Sequence, residues 1–204
     1  MQDKPAKQLL ATSANWYPSH VTSRHRYRVS STVFVVLRSH HEFCSLKRVN
    51  TGWMDGFYSL PAGGVEEGET LLEAARREAL EEVGVLLNLE DLRLVHTLHS
   101  QTQGDGWLDH FFVADRWEGT PRICELDRHE DLCWLSFDAI PEQFVPYVRS
   151  ALVALTKGET YSIYGWPHAE TPELATEHLK HATPSSLKGQ GGLSLQGADS
   201  NQDD

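Results

Sequence analysis

Three carboxylates in the stretch "RREALEEVG", those of Glu78, Glu81 and Glu82, stand at positions i, i+3 and i+4 of a helical pattern. At about 100° per residue they share one arc of the helix, while Leu72, Ala75, Ala79 and Val83 make an apolar stripe on another face. The acids are therefore expected to lie close together and away from the core. Local electrostatics does not explain them. Arg77 stands one turn before Glu81 and is also within reach of Glu73 and Glu69, whereas Glu78 and Glu82 have no basic residue three or four positions away. As a like-charge pair one turn apart, Glu78 and Glu82 cost about 0.2–0.5 kcal/mol on an exposed helix. In a partly buried cleft, charges about 6 Å apart at an effective dielectric near 20 repel by about 2–3 kcal/mol. The triplet also approaches the helix C-terminus, the unfavourable end of the dipole for anions. A divalent cation resolves the conflict, because Mg²⁺ or Mn²⁺ takes oxygen ligands and carboxylates at this spacing converge on one point. The competing interpretation is a solvated acidic face, which spacing alone would favour.

The surrounding elements must hold such a cluster in place. Thr70, with Glu73 three residues on, forms a capping box at the start of the acidic helix, and Gly84 stops it. Before it, a Val- and Phe-rich run from Val29 to Leu37 and a second run from Phe43 to Arg48 make a hairpin across "HHE". "NTGWMDG" is turn chemistry, and "FYSL" is a short strand ended by Pro61 and the pair Gly63-Gly64. After the helix, "LRLVHTLHS" and "WLDHFFVADRW" are two strands joined by a loop from Gln101 to Gly106. "EGTPRICELDRHED" is an irregular polar connection, and "LCWLSF" a sixth strand. Apolar residues at Phe144, Val148, Ala151, Leu152 and Leu155 predict a helix over 142–156, its regular part starting near Pro146. Residues 1–25 form an aperiodic arm. Beyond 162 the chain becomes a tail rich in Gly, Ser, Gln and Asp, expected to be largely disordered, with a short helical turn in "PELATEHLKHA". One mixed α/β domain over 26–162 remains.

Composition narrows the partners. A formal charge of −11 argues against passive binding to nucleic acid or to an anionic membrane. A phosphorylated small molecule would need a cation or a local basic group to bridge it to this surface. No apolar run reaches the length of about 18 residues that a membrane span needs, and the first residues have no apolar core of signal-peptide length. Cys44, Cys124 and Cys133 form no CxxC pair, so they are expected to be reduced thiols in the cytoplasm. The eleven histidines show no HxxxH ligand spacing and are expected at turns and surfaces.

Read from Gly63 to Val85, "GGVEEGETLLEAARREALEEVGV" resembles the Nudix box at each specified position: Gly63, Glu69, Arg77-Glu78, the aliphatic Ala79, Glu81-Glu82, Gly84 and Val85. The flanking strands and second helix match the element order of the Nudix α/β/α sandwich with its mixed sheet. "DRWEGTP", from Asp115 to Pro121, is similar to the segment of the MutT-like branch. The proline and tyrosine markers of the ADP-ribose and dinucleoside polyphosphate branches are absent around Ser100 to Gln103. The resemblance implies a hydrolase of diphosphate bonds that uses Mg²⁺, with Mn²⁺ as the alternative. Its metal ligands would be Glu78, Glu81, Glu82, a carbonyl at Ala62 or Gly63, and Glu125 from the later loop, with Glu130 as runner-up. Glu82 or Glu125 would take the water's proton, and Glu69, Arg77 and Gly84 would shape the box.

For substrate contacts, Lys47 and Arg48 are candidates for phosphate and Trp53 for the base; Phe57 and Tyr58 are expected in the core and strand. The purine-reading asparagine of the MutT type has no counterpart in "FVPYVRSA", where Tyr147 and Arg149 stand nearest. The leading expectation is a nucleoside triphosphate cleaved to monophosphate and pyrophosphate by a monomer or homodimer. The alternatives are a non-catalytic nucleotide-sensing or partner-binding module, or a hydrolase of ADP-ribose or dinucleotides.

Overall fold

The computed structural model describes residues 27–102 and 104–167. The N-terminal arm and the tail from 168 onward, including "PELATEHLKHA", lie outside the described residues. Strands β1 (Ser30–Ser39), β2 (Glu42–Arg48), β3 (Tyr58–Ser59) and β4 (Ala62–Gly64) precede helix α1 (Leu71–Val83). Strands β5 (Arg93–Thr102), β6 (Asp105–Ala114) and β7 (His129–Ser136) follow, then α2 (Pro146–Thr156) and β8 (Tyr161–Tyr164). The main path through the sheet is β3-β2-β1-β6-β5-β8, with β4 added to β1 and β7 to β2. β1 runs parallel to β6 and β5 parallel to β8, while the other pairs are antiparallel.

Strand β1 organises both layers because its side chains alternate across the sheet. Val33, Val35 and Leu37 pack with Ala75, Ala79 and Val83 of α1. Phe34 and Val36 pack on the other face with Phe111, Val148 and Leu152, the last two from α2. The result is the helix–sheet–helix sandwich expected from the sequence. The β1–β2 register covers only Arg38↔Phe43 and Ser39↔Glu42. Beyond it, β1 pairs with β4 and β2 with β3 and β7, so the hairpin opens, and β4 lies along the C-terminal half of α1.

Four local features differ from the sequence expectation. Gly63-Gly64 does not end a strand but belongs to one, β4, whose Gly63 pairs with Val33. Strand propensity disfavours glycine; tertiary pairing overrides it here. The expected loop from Gln101 to Gly106 is mostly strand, since Gln101↔Gly106 and Thr102↔Asp105 pair. β7 begins at His129, inside the expected irregular connection. Finally, β8 straddles position 162, and Trp166 Nε1 donates to the carbonyl of His99 at 3.0 Å, so the fold continues past the expected boundary.

Candidate active site

Helix α1 is fixed at both ends. The Thr70 hydroxyl accepts from the Glu73 amide at 3.3 Å, and Glu73 Oε2 accepts from the Thr70 amide at 2.8 Å, which completes the capping box. Gly84 closes the helix at φ 67°, a left-handed conformation suited to glycine. The open carbonyls of the last turn are used by the later connection: Arg122 N donates to Val83 O and Cys124 N to Glu82 O, each at 3.0 Å. A Cβ on Gly84 would stand 2.8 Å from Cys124 Sγ. This docking delivers Glu125 to Glu82. The amides of Arg128 and His129 then donate to Glu125 O at 3.1 and 3.0 Å, and that turn brings His129 round to the same spot. Donor atoms of Glu82, Glu125 and His129 all lie within 4.8 Å of one another.

The helix face carrying the acids lies apart from the apolar stripe, as expected, and most of it is covered, which rules out the competing solvated face. Glu78 and Glu82 are each only 8% exposed, while the Glu81 side chain is 51% exposed. The cause is β4, which crosses that face. Gly63 has no side chain, and Glu78 Oε1 occupies the space where its Cβ would be. Ala62 N donates to Glu82 Oε2 at 2.9 Å.

Glu78 is also not without a cation. Arg77 Nη1 donates to Glu78 Oε1 at 2.6 Å and to Glu81 Oε2 at 3.1 Å, while Nη2 donates to Glu69 Oε1 at 2.8 Å and to Gly64 O at 3.0 Å. Residues adjacent in a helix do not normally face each other, which is why spacing gave no hint of the Arg77–Glu78 contact. Glu69 also accepts from the Glu66 amide at 2.7 Å, so one guanidinium ties the β4–α1 loop to the helix.

Glu82 is under electrostatic strain. Burial pushes its carboxyl up to about 8; the Ala62 amide works against this, and Glu78 and Glu125 add to it. Burial likewise raises Glu78, opposed by Arg77. Burial, aided by Arg48 and Arg128, pushes the His129 imidazole down to about 4. It is therefore neutral near pH 7, and its 3.8 Å approach to Glu82 Oε1 is not an ion pair. His129 Nδ1 is buried without a hydrogen-bond partner. Two buried carboxylates, a third beside them and the neutral His129 imidazole, whose Nε2 faces Glu82, form a donor set that fits a divalent cation.

Sequence reasoning missed His129. It and His96 are buried, not surface residues as expected; His96 Nδ1 and Nε2 contact Glu159 O and Ser162 Oγ, both at 2.8 Å. The available signal for His129 was its one-turn spacing from Glu125. Lys47 and Glu130 do not join the cluster, because they pair with each other on the surface at 2.8 Å. Arg48 does reach the cleft: its guanidinium donates to Trp53 O and Thr51 Oγ1, each at 3.0 Å. Phe57 and Tyr58 pack against the α2-side core, as expected, and Arg149 contacts the carbonyl of Ile140.

Two cavities share walls here. One of about 430 Å³ has Phe34, Trp53, Trp107, Asp109 and Tyr147 among its walls. The other, of about 350 Å³, reaches Glu82 and His129. Arg48 and Ala62 line both. An aromatic chamber thus adjoins a polar cleft, which holds Glu82, His129 and Arg128, across Arg48 and Ala62.

Comparison with known proteins agrees with this architecture. A family model described as the NUDIX domain matches residues 26–155. The chain is 29% identical over 150 residues to an RNA pyrophosphohydrolase of Erythrobacter litoralis, covering 65% of this chain and 90% of the relative. It is 32% identical over 105 residues to the nucleoside triphosphatase NudI of Salmonella arizonae, covering 48% and 72%. Among solved structures, a MutT NUDIX hydrolase from Burkholderia pseudomallei superposes with a TM-score of 0.57 at 26% identity, covering 62% of this chain and 97% of that one. The E. coli ORF135 protein shares the fold, with a TM-score of 0.56 at 20% identity over 64% and 91%. No helix among the described residues is long and apolar enough to cross a membrane. With the box, the sandwich and the buried glutamates in agreement, the chain belongs to the Nudix family as a MutT-like hydrolase of diphosphate bonds.

Proposed function

We propose that this protein is a Mg²⁺-dependent pyrophosphohydrolase of free nucleoside triphosphates, releasing the monophosphate and pyrophosphate. The observation that carries the proposal is the junction of the two cavities at Arg48 and Ala62. A nucleoside in the aromatic chamber would send its phosphates past Arg48 toward Glu82 and Glu125. The chamber's volume suits one nucleoside, since ligand pockets run from about 300 to 1,000 Å³.

In this reading Glu78, Glu82 and Glu125 hold the cation, and Glu81 supports it from the rim. Backbone geometry favours Ala62 over Gly63 as the carbonyl ligand. Val35 N donates to Pro61 O and Val65 N to Ser31 O, so the two-residue ladder period turns Gly63 toward β1. Ala62 faces the other way, where its amide already meets Glu82. A bound cation would polarise the diphosphate and activate a water. Arg48 meets the phosphate charge, and Glu82 or Glu125 accepts the water's proton. Trp53 and its aromatic neighbours take the base.

The relatives' names support this chemistry with different substrates, one an RNA pyrophosphohydrolase and the other a nucleoside triphosphatase. The net charge of −11 favours a free nucleotide over an RNA end. The test is a panel of canonical and oxidised dNTPs, NTPs, 5′-triphosphorylated RNA, ADP-ribose, NADH and diadenosine polyphosphates, with Mg²⁺ and with Mn²⁺. Pyrophosphate release from a nucleoside triphosphate, absent in Glu82→Gln, is the expected result. Equal inertness of both proteins toward the whole panel would exclude the activity.

A further inference from the structure

The floor of the aromatic chamber holds a carboxylate that the cation cluster does not use. Asp109 lies on β6, between Thr32 on β1 and Ser100 on β5. All three line the chamber, yet Asp109 is only 2% exposed. The Thr32 hydroxyl donates to Asp109 Oδ1, and the Ser100 hydroxyl donates to Oδ2 at 2.7 Å. No lysine or arginine forms an ion pair with Asp109 among the described residues.

The hydrogen-bond inventory of this trio is one-sided. A hydroxyl has one proton and two lone pairs, and an ionised carboxylate has acceptors only. Thr32 and Ser100 both spend their protons on Asp109, so with Asp109 ionised all three groups have only lone pairs left for a ligand; burial raises this carboxyl against the two hydroxyls, and an N–H donor from a ligand favours the ionised form. A buried carboxylate with two neutral donors and no cation is costly to keep. It recovers that cost when a ligand brings further N–H donors.

The geometry points to Asp109, held by Thr32 and Ser100, as the specificity-determining residue of the nucleoside chamber, selecting bases that present an exocyclic amine over bases that present a carbonyl. A carbonyl oxygen against this floor would face lone pairs and leave Asp109 unpaired. An amine supplies the missing donor. This inference rests on the nucleotide reading above and names the class of base for the same site.

Two substrate pairs isolate the effect. GTP and ITP differ by the 2-amino group alone, and CTP and UTP by an amine against a carbonyl. A hydrogen bond to a charged group corresponds to roughly 10- to 100-fold. The wild-type protein should therefore prefer the amino member in kcat/KM by at least about tenfold in one or both pairs. Asp109→Asn, which puts a donor on the floor, should pull that ratio toward one or invert it. A variant that is merely damaged loses both members of a pair alike and leaves the ratio unchanged, which would overturn the assignment.

Binding is measured separately, from quenching of the chamber tryptophans by GMP against IMP and by CMP against UMP. A binding preference for the amine without hydrolysis of any triphosphate would uphold Asp109 and remove the enzymatic reading. Hydrolysis or binding with no preference in the wild-type protein would remove Asp109 and leave the enzymatic reading intact, whether or not the variant folds.

Discussion

The carboxylate of Glu78 lies against the α-carbon of Gly63, so closely that a Cβ placed there would stand 1.9 Å from Oε1. Gly63 is not needed for a left-handed turn, because it is a paired residue of β4. It is needed for the space it leaves. Replacement by alanine drives out the end of a flexible side chain and leaves the backbone where it is, so the fold should survive. Gly63→Ala is expected to lower stability by no more than about 1–2 kcal/mol. Activity should fall by about 100-fold or more, because a displacement near 1 Å in a positioned group costs that much. Chemical denaturation and steady-state kinetics on the same preparation check this. Near-normal turnover would show that the position of Glu78 is not needed.

Arg77 is placed differently from an ordinary surface arginine. It serves Glu69, Glu78, Glu81 and the Gly64 carbonyl at once, with its side chain 23% exposed. Lysine keeps the charge but not the planar fork, so it cannot span these acceptors. Arg77→Lys should cost about 2–3 kcal/mol, the scale of charge-assisted bonds lost from partly buried partners. The β4–α1 loop should also become cleavable by proteases. Unfolding curves and limited proteolysis with a cut mapped between 64 and 70 would test both effects; an uncut loop in a destabilised protein would separate them.

Glu125 and Glu130 are close in sequence but opposite in placement. Glu125 is carried to Glu82 by the Arg122 and Cys124 amides, whereas Glu130 pairs with Lys47 at the surface. Glu125→Gln is expected to reduce kcat by roughly 100- to 10,000-fold if it is the proton acceptor, the range for general base catalysis. Even as a cation ligand alone, it should weaken metal affinity measurably. Glu130→Gln and Lys47→Ala should stay within about twofold of the unaltered protein, since a screened surface pair outside the cluster contributes little. Equal losses at 125 and 130 would contradict this separation.

What could be read from the chain, and what could not, follows the range of the forces involved. The capping box, the Gly84 stop, the apolar face of α1 and the alternation of β1 are local patterns, and they were legible. So was Glu125, through the likeness of "DRWEGTP" to the MutT-like branch. Strand β4 was not legible, because its glycines read as a turn until β1 is laid beside them. The burial of Glu78 and Glu82 depends on that same strand. His129 was hidden because its partners, Glu82 and Glu125, come together only after the 122–124 segment docks on the end of α1. Asp109 was hidden because its two donors lie on neighbouring strands, far away in sequence. Polar groups brought together by long-range contacts leave little trace in local periodicity.

Glu82 and His129 make stability depend on pH in opposite directions. The carboxyl of Glu82 is raised from 4.5 to about 8, so the native state holds its proton more tightly than the unfolded chain. That stabilisation is complete below pH 4.5 and is lost as pH rises through 8. The imidazole of His129 is lowered from 6.5 to about 4, so its contribution is present above pH 6.5 and lost as pH falls through 4. Between pH 6.5 and 8 only the Glu82 effect remains. Protein stripped of metal with a chelator should therefore lose stability across that window, by at most about 2 kcal/mol at 1.36 kcal/mol per pH unit. Saturating Mg²⁺ holds the carboxylate ionised and should abolish the loss, and Glu82→Gln should abolish it without metal. Urea unfolding at pH 6.5 and pH 8, in chelator and in Mg²⁺, gives the four values needed. A metal-free stability that is flat or rising over this window would mean that Glu82 is already ionised in the empty cleft, and that its repulsion with Glu78 and Glu125 is relieved by some means other than a proton.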